Sequence, residues 1–171
     1  MRRRRDLRMT ISPESLATMR RAAEQAHPRE TGGLLIGYRI GSTVVVAHAI
    51  GVPDEAATSH AYTRREGPAQ DALNLARARL GAPMGYVGDW HSHPASASPS
   101  RRDKSALRRT ALQFKLPIGQ VVIAHTENGY TGLFGTVAWG RQRNRLEEVP
   151  VVRASTEPLV PVTEEGGTTD D

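Results

Sequence analysis

No cysteine occurs among the 171 residues. Disulfides, thiolate metal ligands and a cysteine nucleophile are excluded together, so any metal this chain holds must be taken by histidine and carboxylate. Aromatic residues are scarce, with two Trp, two Phe and four Tyr, which leaves little to serve as stacking platforms for nucleic-acid bases. No apolar run approaches the ~20 residues that span a bilayer. The N-terminal arginines are not followed by the apolar stretch of a secretory signal. A cytoplasmic protein without a membrane anchor is the expectation.

Acids are in the minority, 18 Asp and Glu against 23 Lys and Arg, for a net charge of +5. The excess is clustered: Arg2 to Arg5 at the N-terminus, then Arg101, Arg102, Lys104, Arg108 and Arg109, then Arg141, Arg143 and Arg145. Such clusters can attract nucleic acid, but with so few aromatics they read as solvated faces and tails. The length suits one domain with a real core. Residues 1–6 read as a basic tail and 7–153 as the folded domain. The stretch 154–171 holds Pro, Gly, Thr and acids with little to bury, and reads as a disordered tail.

In chain order, 7–11 reads as a short strand, with Ser12 as N-cap and Pro13 opening a helix to about Ala26. Leu16, Met19, Ala22, Ala23 and Ala26 give that helix an apolar stripe. His27-Pro28 ends it, because the residue before proline is pushed out of the helical region, and His27 reads as a helix-end residue only. Strands 34–39 and 43–50 form an expected hairpin about Gly41. His48, on the face of Val44 and Val46, reads as a core or edge histidine. The polar, breaker-rich stretch 52–68 is too long for a simple connection and is expected to border a substrate groove. His60 and Tyr62 within it read as surface residues, with contact to substrate as the sharper alternative.

A second helix over 68–80 carries Ala69, Leu73, Ala76 and Leu80 on one side and stops at Gly81. A third is expected over 101–114, bearing Leu107, Ala111 and Phe114. A strand over 118–124 ends near His125, Asn128-Gly129 makes a hairpin turn, and 130–139 returns. An edge strand is expected over 146–152. The sum is an α/β fold: a single-domain layered sandwich with a curved mixed sheet flanked by helices.

The stretch that carries chemistry runs Trp90-His-Ser-His-Pro-Ala-Ser-Ala-Ser-Pro-Ser-Arg-Arg-Asp103. His91 and His93 end an apolar strand, and side chains at i and i+2 of extended backbone point the same way. Both imidazoles can therefore reach one point. Ten residues on, Asp103 supplies a carboxylate at a helix start. Two imidazoles and a carboxylate match a catalytic zinc site that keeps its fourth position for water, which points to a hydrolase. A blander reading stands beside this one. Ser100-x-x-Asp103 is also a capping box, with the acid favourably placed on the helix dipole, and Glu30 alone would read as an exposed loop carboxylate.

Taken with Glu-Thr-Gly-Gly-Leu-Leu-Ile-Gly at 30–37, the run Gly-Asp-Trp-His-Ser-His-Pro followed by Pro-Ser-x-x-Asp resembles the JAMM motif of the MPN family of zinc peptidases. The resemblance covers roughly residues 7–139. It implies a curved sheet between helices, cytidine-deaminase-like, with zinc at one strand end. It implies His91, His93 and Asp103 as Zn2+ ligands, Glu30 as general acid/base, and Ser100 as the residue that orients water and steadies the oxyanion. It also implies a substrate: the peptide or isopeptide bond after the C-terminal glycine of a ubiquitin-like protein or its conjugate. Deconjugation in a bacterial antiphage CBASS operon is favoured, with sulfur-carrier precursor processing, a non-catalytic MPN scaffold or a nucleic-acid-associated relative as alternatives. The spacer from His93 to Ser100 is one residue shorter than the family's commonest pattern.

Overall fold

In a computed structural model, residues 5–153 are described. The tail expected over 154–171 and most of the basic N-terminal tail lie outside them. The elements are β1 (Arg8–Ile11), α1 (Pro13–Ala26), β2 (Gly32–Ile40), β3 (Thr43–Gly51), α2 (Glu66–Leu80), β4 (Gly85–His93), α3 (Arg101–Phe114), β5 (Ile118–Thr126), β6 (Gly129–Trp139) and β7 (Gln142–Arg145). The strands form one sheet in the order β1-β3-β2-β4-β5-β6-β7. β1 pairs parallel to β3, and β4 parallel to β5; the other pairs are antiparallel.

The sheet curls until its ends nearly meet. Ile11 donates its N–H to the Pro150 carbonyl at 3.0 Å, and Val152 donates to Ile11 at 2.8 Å. Asn144 Nδ2 donates to the Leu7 carbonyl at 3.1 Å. Against the inner face lies α1. Ser12 caps it, accepting the Ser15 N–H at 3.1 Å, while Pro13 occupies the first turn where no N–H is missed. Met19 and Ala23 pack with Leu7, Met9, Val44, Val46, Val121 and Ile123 in the main core. On the outer face, Ala69 and Ala76 of α2 cover Leu34, Ile36 and Val52. Leu107 and Ala111 of α3 cover Ile118 and Ala138. This is the layered α/β sandwich the alternation of patterns predicts, and among the described residues no helix is long and apolar enough to cross a membrane.

Several local expectations are corrected. Ile36 pairs with His48 but Gly37 pairs with Val46, so Ala47 is an extra residue that inverts the alternation of β3. His48 therefore leaves the face of Val44 and Val46 and is exposed. α2 starts at Glu66, two residues before Pro68. Leu80 and Phe114 fall outside the buried stripes of their helices, at 37% and 46% exposure. The edge strand is Gln142–Arg145, and from the expected 146–152 strand only a bridge from Val151 to Ile11 forms.

A second register slip matters more. Leu35 pairs with Gly88 and Ile36 with Tyr86, which leaves Val87 extra on β4. Val87 and Trp90, three apart, can then both enter the main core. Had the alternation run unbroken, a core-facing Val87 would have carried Asp89, His91 and His93 inward with it. The bulge turns the histidines out of the core.

Close backbone approach fixes the same strand on its other side. A Cβ on Gly88 would lie 2.0 Å from the Gly119 carbonyl oxygen of β5, whereas one on Gly85 would meet nothing within 4 Å. Gly88→Ala should cost about 3 kcal/mol or more of stability through overpacking against rigid backbone, and Gly85→Ala well under about 1 kcal/mol. Urea unfolding of the two variants measures this, and equal losses would contradict the register.

Candidate metal centre

The last residues of β4 alternate between two attachments. Trp90 is buried and donates its Nε1–H to the Ile50 carbonyl at 3.1 Å. Ser92 donates its N–H to the Thr31 carbonyl at 2.7 Å, and its Oγ accepts the Thr31 N–H at 3.0 Å. With Trp90 and Ser92 pinned, His91 and His93 face the outer side. The chain then turns through Pro94–Pro99 into α3, where Ser100 Oγ accepts the Asp103 N–H at 3.2 Å and Asp103 Oδ2 accepts the Ser100 N–H at 2.6 Å. This reciprocal cap aims Asp103 back at the strand end. The six-residue spacer is long enough for the return.

Three side chains meet as a result. His91 Nε2 lies 3.1 Å from His93 Nε2 and 3.2 Å from Asp103 Oδ1, and His93 Nε2 lies 3.5 Å from Asp103 Oδ2. Among the described residues these three form the group able to hold a metal ion, their ligand atoms all within 4.8 Å of one another. His93 Nδ1 lies 3.2 Å from the Ala97 carbonyl. A carbonyl only accepts, so Nδ1 carries the proton and Nε2 presents its lone pair to the cluster. Lone pairs of two imidazoles and a carboxylate then converge on one small volume, an arrangement that calls for positive charge.

Where no ion supplies that charge, a proton on an imidazole Nε2 can, donated to the carboxylate. Hydrogen bonding to Asp103 pulls the His93 pKa upward against the opposite effect of its burial. Burial pushes the Asp103 carboxyl up, but hydrogen bonds with His91 and His93 overcome it and hold the group far below the usual carboxylate range. The anion is fixed, and it draws a cation.

Glu30 stands two residues before the first residue of β2, Gly32, which pairs with His91, and its N–H donates to the Thr58 carbonyl at 2.8 Å. It lines the same cleft as His91, His93, Ser100 and Asp103, a cavity of about 1180 Å³. Partial burial raises its pKa, and the nearby His91 and His93 pull it back only in part. A carboxylate so poised takes up a proton more readily than an exposed one. Gly32 is needed beside it. A Cβ there would come within 2.5 Å of the Trp90 carbonyl and 2.6 Å of the Tyr62 ring.

The 52–65 connection does border the cleft, through Ser59 to Arg64. Tyr62 is a strut rather than a surface residue, its hydroxyl donating to the Val52 carbonyl at 2.8 Å. Asp89 is anchored by Arg64 at 3.1 Å and by the Tyr86 hydroxyl at 2.8 Å, as a neighbour of the cluster. His27 is more than a helix end, since it lines the cleft and its ring centroid lies 5.7 Å from that of buried His125. Gln120 of β5 was missed by sequence reasoning. Its Nε2 donates to the Asp103 carbonyl at 3.1 Å, tying the first turn of α3 to the sheet. The signal was a lone amide inside the apolar run of 118–124.

The model of a family described as prokaryotic homologs of the JAB domain matches residues 12–145. No curated protein matches the chain. Among solved structures, a Desulfitobacterium hafniense protein determined in solution superposes with a TM-score of 0.58 at 19% identity, over 85% of this chain and 94% of that one. A Salinibacter ruber protein, also from solution, gives 0.52 at 23% identity over 84% and 91%. The crystal structure of a JAB1/MPN domain protein from Archaeoglobus fulgidus gives 0.50 at 23% identity over 85% and 98%. At these identities the likeness speaks for the fold. With the family model spanning most of its length and the curled mixed sheet shared with a JAB1/MPN domain, the chain belongs to the prokaryotic JAB-domain family.

Proposed function

We propose that the chain is a zinc-dependent isopeptidase acting on the amide bond after the C-terminal glycine of a ubiquitin-like protein. His91, His93 and Asp103 are the metal ligands, Glu30 the general acid/base and Ser100 the oxyanion donor. Removal of such a protein from its conjugates in a bacterial antiphage system is the narrower form of the reading, and it rests on resemblance alone. The observation that carries the proposal is the convergence of three lone-pair donors across a cleft from a part-buried glutamate. The family includes metal-dependent isopeptidases, which supports the reaction class.

The donor set fits zinc. Ligand bonds of 2.0 to 2.1 Å at tetrahedral angles place neighbouring ligand atoms about 3.3 to 3.4 Å apart. The His91–His93 and His91–Asp103 separations of 3.1 and 3.2 Å are close to that edge. Asp103 serves both cap and cluster, since Oδ1 is turned to His91 while Oδ2 takes the Ser100 N–H and lies 3.5 Å from His93 Nε2. When bound, the ion supplies Lewis acidity, lowering the pKa of a water in the open position to roughly 7.

The remaining work falls to side chains. Glu30, as carboxylate, takes the attacking water's proton and returns it to the leaving amine as the C–N bond breaks. The Ser100 hydroxyl already accepts the Asp103 N–H, which leaves its own proton free to donate to the oxyanion. Gln120 and the Ala97 carbonyl hold Asp103 and His93 in place.

Three outcomes follow from these roles. Purified protein should hold about one zinc per chain, and His91→Ala should lose it; elemental analysis reads both, and a stoichiometry near zero for the parent chain would remove the metallopeptidase reading. Glu30→Gln should keep zinc and fold while turnover of a ubiquitin-like fusion falls by about 10² or more. Undiminished hydrolysis by that variant would contradict the assigned base. Ser100→Ala should lower kcat by about 10² to 10³ and, independently, weaken the cap of α3 by about 1 kcal/mol. Loss of stability without loss of kcat would reduce Ser100 to a capping residue.

A further inference from the structure

One wall of the cleft carries charge that the proposed chemistry does not use. Arg102, Ala106, Arg109, Thr110 and Gln113 of α3 all line the cavity. Their spacing of four, three, one and three residues traces a single stripe on the helix, opposite the buried Leu107 and Ala111. The same helix bears Arg101, Lys104 and Arg108, against one acid, Asp103, which is turned into the cluster. Among the described residues none of these five cations enters an ion pair. Arg109 donates to Ser105 Oγ at 3.3 Å and is otherwise spent on nothing. Of the other acids that line the cleft, Asp89 is already paired with Arg64 at 3.1 Å, while Glu30, Glu66 and Glu127 come from other elements than α3.

From this arrangement we infer that the α3 wall docks an acidic stretch of the protein substrate, with Arg102 and Arg109 as carboxylate-binding residues that set specificity. The inference rests on the peptidase reading for the word substrate, but not for the binding itself. Arg109 lies six residues beyond Asp103, about 9 Å along the helix axis. An extended chain advances about 3.3 Å per residue, so for a substrate laid along α3 Arg109 would face the residue about three positions from the bond being cut. Guanidinium groups pair with carboxylates in a two-point fork that an amide does not reproduce. A nucleic acid fits less well. The stripe offers Ala, Thr and Gln between its arginines instead of the aromatic faces on which bases stack.

The test reads binding, so it stands even if hydrolysis is absent. A fluorescein-labelled dodecapeptide of Gly and Ser with four Glu is titrated onto the full chain at low salt, beside the same peptide with Gln and a 12-nucleotide single-stranded DNA. The Glu peptide should bind about tenfold or more tightly than the Gln peptide, and the preference should fade with added salt. R102E/R109E should abolish that preference, and the milder R102Q/R109Q should reduce it. Both side chains are exposed, so thermal unfolding of the variants should match the parent. Residues 154–171 include Glu157, Glu164, Glu165, Asp170 and Asp171 and no Lys or Arg. The titration is therefore repeated with those five as amides; peptide binding seen only then shows the chain's own carboxylates competing for the arginines, and supports the assignment. Equal binding of Glu and Gln peptides in both backgrounds overturns it. So does DNA bound more tightly than the Glu peptide and lost with the same arginines, which reassigns the wall to nucleic acid.

Discussion

Everything at the site depends on holding like against like. Two imidazole nitrogens and a carboxylate oxygen, each presenting a lone pair, stand 3.1 to 3.5 Å apart, and without a positive charge between them they would repel one another. The fold keeps them there by fixing each from behind. Trp90 and Ser92 lock the strand between and beside the histidines, the Ala97 carbonyl orients one ring, and the cap on α3 orients the acid. Preorganisation of that kind transfers the cost of assembling the ligands from binding to folding.

How far the chain could be read beforehand follows from which of these supports are local. The capping box is written in Ser100 and Asp103 themselves, and the helix start it predicts is where α3 begins. Likewise Ser12-Pro13 opens α1, and Asn128-Gly129 sits at the turn between β5 and β6. The i, i+2 spacing of His91 and His93 states that they share a face. Which face they share is not local. That is decided by the extra residue at Val87, and a register slip depends on the partner strand β2 rather than on β4 alone. The same kind of slip at Ala47 is why a histidine aligned with Val44 and Val46 in sequence ends in solvent.

Gln120 and Tyr62 were illegible for a related reason. Each acts through a residue far away in the chain, Gln120 on the Asp103 carbonyl and Tyr62 over Gly32. Nothing in their own neighbourhoods announces the target. The 52–65 connection shows the complementary case: its length and polarity place it at the cleft, yet its packing is set by Gly32, twenty or more residues earlier. The failed edge strand at 146–152 belongs here too. Its apolar residues are drawn to close the curl against Ile11, and the hairpin beyond Gly140 takes the sheet edge instead.

Asp103 belongs at once to a helix terminus and to the cluster, with Oδ1 turned to His91 and Oδ2 shared between the Ser100 N–H and His93. The two duties are thermodynamically linked. Whatever neutralises the carboxylate from the strand side alters how well it closes the first turn of α3, and fraying of that turn withdraws a ligand. Occupancy of the centre and rigidity of the arginine-bearing cleft wall are therefore not separate properties of this domain: an empty centre would present a looser rim, and the presence of the ion would be communicated along the helix to whatever lies against it.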